Sequence, residues 1–243
     1  MLKDTLSRYA VATVGLFLVA FGVALSIKSN LGTAPISCPA YVLSLKVPSI
    51  SVGTFIFLVN MVFMLVQVAL LRSRFRASSL MQVAASILFG YLVDVSLWML
   101  SGLDISSLLA KALLVVLAGL VTAVGVSIEV RSNAWMLSAE MTVAALSTVT
   151  GGVFHKVKIL MDSSLVVIAA LLSLAFFGNP LGSGELAGLR GVADSLLARA
   201  DGVVIGAGTL ALAVLPGFFM KFTERPVGAA VDKLLFRSTD RSA

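Results

Sequence analysis

The chain has 243 residues, of which 59% are hydrophobic and 12% are charged, and its mean hydropathy is +1.05. Soluble domains carry about 25% charged residues, so this composition excludes a soluble enzyme, a disordered protein and a nucleic-acid-binding domain. The net charge of +6 comes from basic residues that lie between apolar runs, which is typical of membrane proteins. With a single cysteine, Cys38, and a single histidine, His155, the chain lacks a disulfide framework and any multi-cysteine or multi-histidine metal site.

Six apolar runs are long enough to cross a bilayer, which takes roughly 20 residues. They lie at 9–27, 52–71, 79–100, 108–128, 157–177 and 202–219. The first run also has the basic start and small-residue end of a signal peptide, so cleavage is an alternative. The five runs that follow favour a retained helix.

The distribution of lysine and arginine predicts the orientation, because cytoplasmic connections carry an excess of both. If the N-terminus lies inside, only a minority of the lysine and arginine residues lie on the outer side. These are Lys28, Lys46, Lys111, Arg190 and Arg199. An even number of spans then places both termini on the cytoplasmic side of a bacterial inner membrane.

Two segments, 31–46 and 134–149, are too short to cross a bilayer and too apolar for a solvated loop. We expect them to form re-entrant or half-helix elements. The connection 178–201 reads as an outer loop with a short amphipathic helix near 192–200. The tail 223–243 reads as an amphipathic helix on the cytoplasmic membrane surface.

The sequence contains an internal repeat, in which 22–30 aligns without gaps on 125–133 at an offset of 103 residues. After one deletion, Asn60 falls on Asp162. Each half, 1–105 and 106–222, contains three spans and one short segment. Because three is odd, the halves have opposite orientations. The predicted fold is therefore an all-α membrane protein of two inverted three-helix repeats, a pattern that indicates a transport site at the midplane.

The repeated Lys-Ser-Asn and Arg-Ser-Asn motifs precede the short segments, where a half-helix N-terminus favours anions. The alternative is that the cations extend to the interface while serine and asparagine cap helices. The candidate solute-binding residues are Lys28, Ser29, Asn30, Thr33, Ser37, Asn60, Arg131, Ser132, Asn133, Trp135 and Ser138.

Ionisable residues inside apolar runs are costly and usually face a cavity or a partner. Candidate coupling or gating residues are Asp94, Glu140, His155, Lys158 and Asp162. Lys158 and Asp162 are four residues apart on a helix, so an ion pair is available to them. The competing interpretation is that these charges form internal salt bridges which only orient helices.

The first half resembles the YczE/YyaS/YitT-type bacterial membrane proteins over roughly residues 10–105. The matching positions are Gly22, Ala24, Leu25, Leu31, Gly32 and Pro35, then Ser51, Gly53 and Asn60, then Gly90 and Asp94. The resemblance implies a compact inner-membrane protein of several helices. It also singles out Asn60 and Asp94.

We therefore expect a transporter or exporter of a small anionic organic solute, working by alternating access and coupled to protons or sodium. One alternative is a transporter of cationic or zwitterionic amines that uses the buried carboxylates. Another is a membrane scaffold or regulatory subunit that transports nothing. An intramembrane enzyme is least favoured, so we expect no enzymatic activity, no cofactor and no nucleic-acid partner. A homodimer is compatible with this interpretation.

Overall fold

The computed structural model describes residues 2–72, 80–103, 105–132, 134, 137–183 and 202–240. Within them the fold is all-helical, with eight α-helices and no strand longer than one isolated bridge. The helices are α1 (Leu2–Ser29), α2 (Cys38–Lys46), α3 (Val52–Leu71), α4 (Met81–Met99), α5 (Leu108–Ser132), α6 (Ser138–Thr150), α7 (Phe154–Phe177) and α8 (Ala207–Asp240). A 3-10 turn, Pro35–Ser37, precedes α2.

Five of these helices are long and apolar enough to cross a membrane, and they lie in α1, α3, α4, α5 and α7. The chain is therefore a multi-pass membrane protein. The predicted sixth span at 202–219 differs, because its helix begins at Ala207 and continues to Asp240. The residues before it are not helical: Val203 forms a β-bridge with Gly182.

The two central helices, α1 and α5, pack against each other along most of their length. A methyl group added to Gly125 would come 2.7 Å from the carbonyl oxygen of Gly15, and one on Gly22 would come 3.0 Å from that of Ala118. Only glycine allows backbones this close. Gly15 lies against Gly125, and Gly22, further along α1, lies against Ala118, which comes earlier in α5. The two helices are therefore antiparallel.

Each of the two short segments contains a short helix, which is α2 in the first and α6 in the second. Helix α2 packs against α3 and α7, and α6 packs against the same two long helices. Ile36, just before α2, packs on the apolar cluster that contains Ala139 of α6, and Leu137 and Ala40 belong to a second, larger apolar cluster. The starts of both short helices therefore lie in the apolar interior of the protein.

Candidate functional site

On the side where α1 ends, the chain leaves its helix at Asn30, whose φ of 52° is left-handed. The Asn30 side-chain oxygen accepts a hydrogen bond from the Val203 N–H at 3.0 Å. The Thr33 N–H donates to the Val204 carbonyl at 3.0 Å, and the Thr33 hydroxyl lies 3.1 Å from that of Ser26. Asn30 and Thr33, both predicted to bind solute, are therefore already hydrogen-bonded within the protein. Their bonds to Val203 and Val204 link the chain after α1 to the segment before α8.

The two repeated serines have matching environments. Ser29 donates to the Ser26 carbonyl at 2.6 Å, and Ser132 donates to the Glu129 carbonyl at 2.7 Å. Both serines are fully buried, and Ser37 at the start of α2 is nearly so. The hydroxyls of Ser29 and Ser132 are therefore used to end their helices.

The two repeated cations are not brought together in the interior. The Lys28 ammonium donates to the Ser101 carbonyl at 3.4 Å, at an exposed position beyond α4. The Arg131 guanidinium is half exposed and pairs with Asp232 on α8, with its Nε 2.9 Å from the Asp232 carboxylate. Both cations are therefore bonded to groups at exposed or partly exposed positions.

Asp94, a predicted coupling residue, has a specific partner in α3. Its carboxylate accepts a 2.7 Å hydrogen bond from the backbone N–H of Gly53, which lies in the first turn of α3. Gly53 also packs directly on Gly90, with no room for a side chain at either position. The negative charge thus lies where free N–H groups and the helix dipole favour an anion.

Three carboxyl groups on α5, α6 and α7 are linked by electrostatic interactions. Glu140 on α6 interacts electrostatically with Lys158 and Asp162 on α7, and Glu129 on α5 interacts with Glu140. The Lys158 ammonium lies 3.4 Å from the Asp162 carboxylate. We call Glu129, Glu140, Lys158 and Asp162 the acidic cluster. The Lys158 ammonium interacts with two of its carboxyl groups, those of Glu140 and Asp162.

Glu129 is the member that the sequence-based candidates omit. It is only 7% exposed, and its carboxylate accepts a hydrogen bond from the Leu137 N–H at the start of α6. The repeat offered a signal, since Glu129 aligns with the buried Ser26 and so marks a polar position in both halves. The N-terminus of α6 is therefore already occupied by a carboxylate of the protein.

A network of amides and hydroxyls, also absent from the sequence-based candidates, joins α3, α4 and α6. The Gln67 amide nitrogen lies 2.8–3.1 Å from the Gln82 side-chain oxygen, the Ser138 carbonyl oxygen and the Thr142 hydroxyl, so its two N–H groups are shared among three acceptors. Gln82 donates back to Gln67 at 3.2 Å. Two buried glutamines in apolar helices were the available signal. We call Gln67, Gln82 and Thr142 the glutamine layer.

Several buried side-chain oxygens have no hydrogen-bond partner. They are Asn60 Oδ1, Ser86 Oγ, Ser138 Oγ, Glu140 Oε2 and Asp162 Oδ1. Every one of them can accept a hydrogen bond or coordinate a cation. Unpaired buried oxygens are costly, so each of these positions favours a proton or a ligand that donates hydrogen bonds or carries positive charge.

Three predicted residues cannot be placed. Asn133 and Trp135 lie outside the described residues, as does the side chain of His155. The amphipathic helix predicted near 192–200 also lies outside them. Among the residues that the structure does describe, no three His, Cys, Asp or Glu side chains are arranged to hold a metal ion together.

Comparison with protein families gives one match, to the family of unknown function DUF6198, over residues 6–187. The match covers most of the chain. The protein belongs to the DUF6198 family. No curated protein and no solved structure matches it. The resemblance to YczE/YyaS/YitT-type proteins stays a prediction, because the matched family does not carry that name.

The DUF6198 match contains every residue of the acidic cluster and of the glutamine layer, together with helices α2 to α7 and all of α1 except its first four residues. Helix α8 and Asp232, the partner of Arg131, lie beyond it. The interior polar groups of this DUF6198 protein are thus part of the family region, whereas the ion pair at the surface uses a residue outside it.

Proposed function

We propose that this protein transports a small cationic or zwitterionic amine across a bacterial inner membrane. The observation that carries the proposal is the acidic cluster, whose Glu140 and Asp162 each keep a buried carboxyl oxygen without a partner. Buried carboxylates with too few cations are strongly unfavourable unless a ligand or a proton neutralises them. An ammonium group supplies both the charge and the hydrogen-bond donors.

The position of Glu129 argues against the anionic solute that the sequence first favoured. An anion at the N-terminus of α6 would meet the Glu129 carboxylate, which already accepts the Leu137 N–H. The expected cationic partners, Lys28 and Arg131, are engaged elsewhere. The described geometry therefore supports amine transport better than anion transport.

Several contacts support an inverted repeat with alternating access. At the repeat offset of 103 residues, Gly22 corresponds to Gly125 and Gly15 corresponds to Ala118. The contact of Gly22 with Ala118 therefore has an equivalent in the contact of Gly125 with Gly15. The matched hydrogen bonds of Ser29 and Ser132 follow the same offset. Each short helix also packs against the long helix that follows it and against the equivalent helix of the other half. Such symmetry lets a central site open to either side in turn.

The proposal includes a sixth span in the first part of α8. Helix α8 packs against α1 and α5, the central pair, as α4 packs against α1. Its apolar part ends at Lys221, and the non-helical residues 203–206 extend it at the other end. Six spans place both termini in the cytoplasm, as the lysine and arginine distribution predicts.

The test is uptake by proteoliposomes of three radiolabelled probes: putrescine, γ-aminobutyrate and succinate. We expect uptake of one or both amines, reduced at least about tenfold by Glu140→Gln, because a charge-assisted hydrogen bond contributes about 1.5–3 kcal/mol. Glu224→Gln, at an exposed position on α8, is the matched control and should leave uptake unchanged. Uptake of succinate alone would contradict the amine assignment, and uptake of no probe would favour a scaffold.

A further inference from the structure

Lys158, one turn into α7, lies at the border between the buried and the exposed faces of that helix. Val157, which precedes it, is buried in the same apolar cluster as Ala139 of α6, whereas Ile159, which follows it, is exposed. The Lys158 side chain itself is 39% exposed. Since a lysine ammonium is carried on a long flexible stem, that of Lys158 can lie either against the carboxyl groups or outside them.

The Lys158 ammonium is held loosely in the position that it occupies. It lies 3.4 Å from Asp162 Oδ2, whereas a charge-assisted hydrogen bond between nitrogen and oxygen is usually about 2.7–2.9 Å long. Its interaction with Glu140 is electrostatic. A partly exposed ion pair of this kind contributes little to stability, so moving this ammonium away costs little.

Asp162 is suited to one ammonium group but not to two. Its Oδ1 is buried without a hydrogen-bond partner, as is Glu140 Oε2. An amine that binds Asp162 Oδ1 lies next to the ammonium at Oδ2, because both oxygens belong to one carboxylate. Two positive charges that close repel each other, and the repulsion grows as the dielectric constant falls. The amine and Lys158 therefore compete for Asp162, and Lys158 has an exposed position to which it can move.

We propose that the Lys158 ammonium is a built-in substitute for the amine solute. It pairs with Asp162 when the site is empty and moves outward when an amine binds. The Asp162 carboxylate then has a positive partner in both states, which avoids an unpaired charge inside the membrane in the empty carrier. This role in transport rests on the proposed function, whereas competition for Asp162 does not require that the amine be transported.

Removing the Lys158 ammonium should create a vacant ammonium site. In Lys158→Ala we expect methylammonium chloride to raise the thermal unfolding midpoint of the purified protein in detergent, in a saturable manner, because a ligand of the folded state stabilises it. Wild type should need at least about a tenfold higher half-saturating concentration, since Lys158 competes with the ligand. Tetramethylammonium chloride at equal ionic strength should stabilise neither protein, because it has no N–H donor.

Lys156→Ala is the matched control, since Lys156 is an exposed lysine two residues earlier on the same helix. It removes the same charge and should respond to methylammonium like wild type. Equal half-saturating concentrations in wild type and Lys158→Ala would overturn the proposal, as would a Lys158→Ala protein that does not respond. An equal rise in both salts would be a general salt effect and would overturn it as well.

Lys158→Arg tests the same competition if Lys158→Ala does not fold. A guanidinium group binds a carboxylate through two parallel hydrogen bonds, so it holds the carboxylate more firmly than an ammonium group does. We expect Lys158→Arg to need more methylammonium than wild type for the same stabilisation. Equal responses of these two proteins, or a stronger response of Lys158→Arg, would overturn the proposal.

The uptake experiment separates the role of Lys158 from amine transport itself. If wild type takes up an amine but responds to methylammonium as Lys158→Ala does, the role of Lys158 is wrong and the transport proposal stands. If wild type takes up no amine and Lys158→Ala is still stabilised selectively, the proposed function is contradicted and the ammonium site at Asp162 remains.

Discussion

Asp94 and Glu140 are both acidic residues in apolar helices, but their surroundings differ. Asp94 accepts a hydrogen bond from the first turn of α3, so its charge stabilises the start of a neighbouring helix. Glu140 keeps a buried oxygen without a partner and faces other carboxyl groups. A satisfied carboxylate stabilises the fold, whereas an unsatisfied buried one requires a proton or a ligand to neutralise it.

We predict that Asp94→Ala lowers the free energy of unfolding by about 1.5–3 kcal/mol, the usual contribution of a hydrogen bond to a charged group. Asp94→Asn keeps an oxygen that accepts the Gly53 N–H, so its loss should be clearly smaller. The measurement is thermal or denaturant unfolding of both variants in detergent. Equal stability of Asp94→Ala and wild type would show that this bond does not stabilise the protein and would return Asp94 to the coupling candidates.

Sequence reasoning identified these residues as polar but could not assign their partners. It singled out Asp94, Glu140 and Asp162 because charge inside an apolar run is visible without a structure. It could not show that Gly53 lies against Asp94, since 41 residues separate them and only the packing of α3 on α4 brings them together. For the same reason it missed Gln67 and Gln82, whose significance depends on contact between helices.

At the scale of elements, the ion pair between Arg131 and Asp232 joins the end of α5 to the C-terminal part of α8. The hydrogen bond from Arg131 lowers the pKa of the Asp232 carboxyl below its ordinary value. An acid with a lowered pKa stabilises the folded state above the pKa of the unfolded chain, about 4. That stabilisation is lost as the pH falls through the lowered value.

We predict that Asp232→Asn lowers the unfolding midpoint at pH 7 and that its difference from wild type shrinks once the pH falls below about 4. The pair is partly exposed, so added salt should also reduce the difference. Midpoints of wild type and variant are compared across pH, with Lys233→Gln, the exposed neighbouring position, as the control. A difference that stays constant down to low pH would mean that Asp232 acts through packing and not through its charge.

Composition and periodicity predicted most of the elements, because long apolar runs have few alternatives to a membrane helix. The residues at which helices begin and end were harder to predict from the sequence than the helices themselves. The predicted sixth span starts at 202, yet α8 starts at Ala207 because the Val203 and Val204 backbone groups are bonded to Asn30 and Thr33. These contacts join chain segments 170 or more residues apart, and no local pattern encodes them.

At the scale of the whole molecule, the proposed inverted repeat predicts which side of the membrane each short helix faces. In that proposal the C-terminal ends of α2 and α6 are equivalent positions in the two halves, so they should face opposite sides of the membrane. Ile50, just beyond α2, is 38% exposed, and Thr150 at the end of α6 is also exposed. The only native cysteine, Cys38, is fully buried, which makes a cysteine-free background straightforward to prepare.

We predict that in a Cys38→Ala background Ile50→Cys reacts with a membrane-impermeant maleimide added to intact cells, because that position lies on the outer side. Thr150→Cys should react only after the cells are opened, since α6 returns to the cytoplasmic side. Ser101→Cys, in the turn beyond α4, is a control for the outer side and should behave like Ile50→Cys. If Ile50→Cys and Thr150→Cys react from the same side, the two halves are not inverted, and alternating access around a pseudo-two-fold axis loses its structural basis.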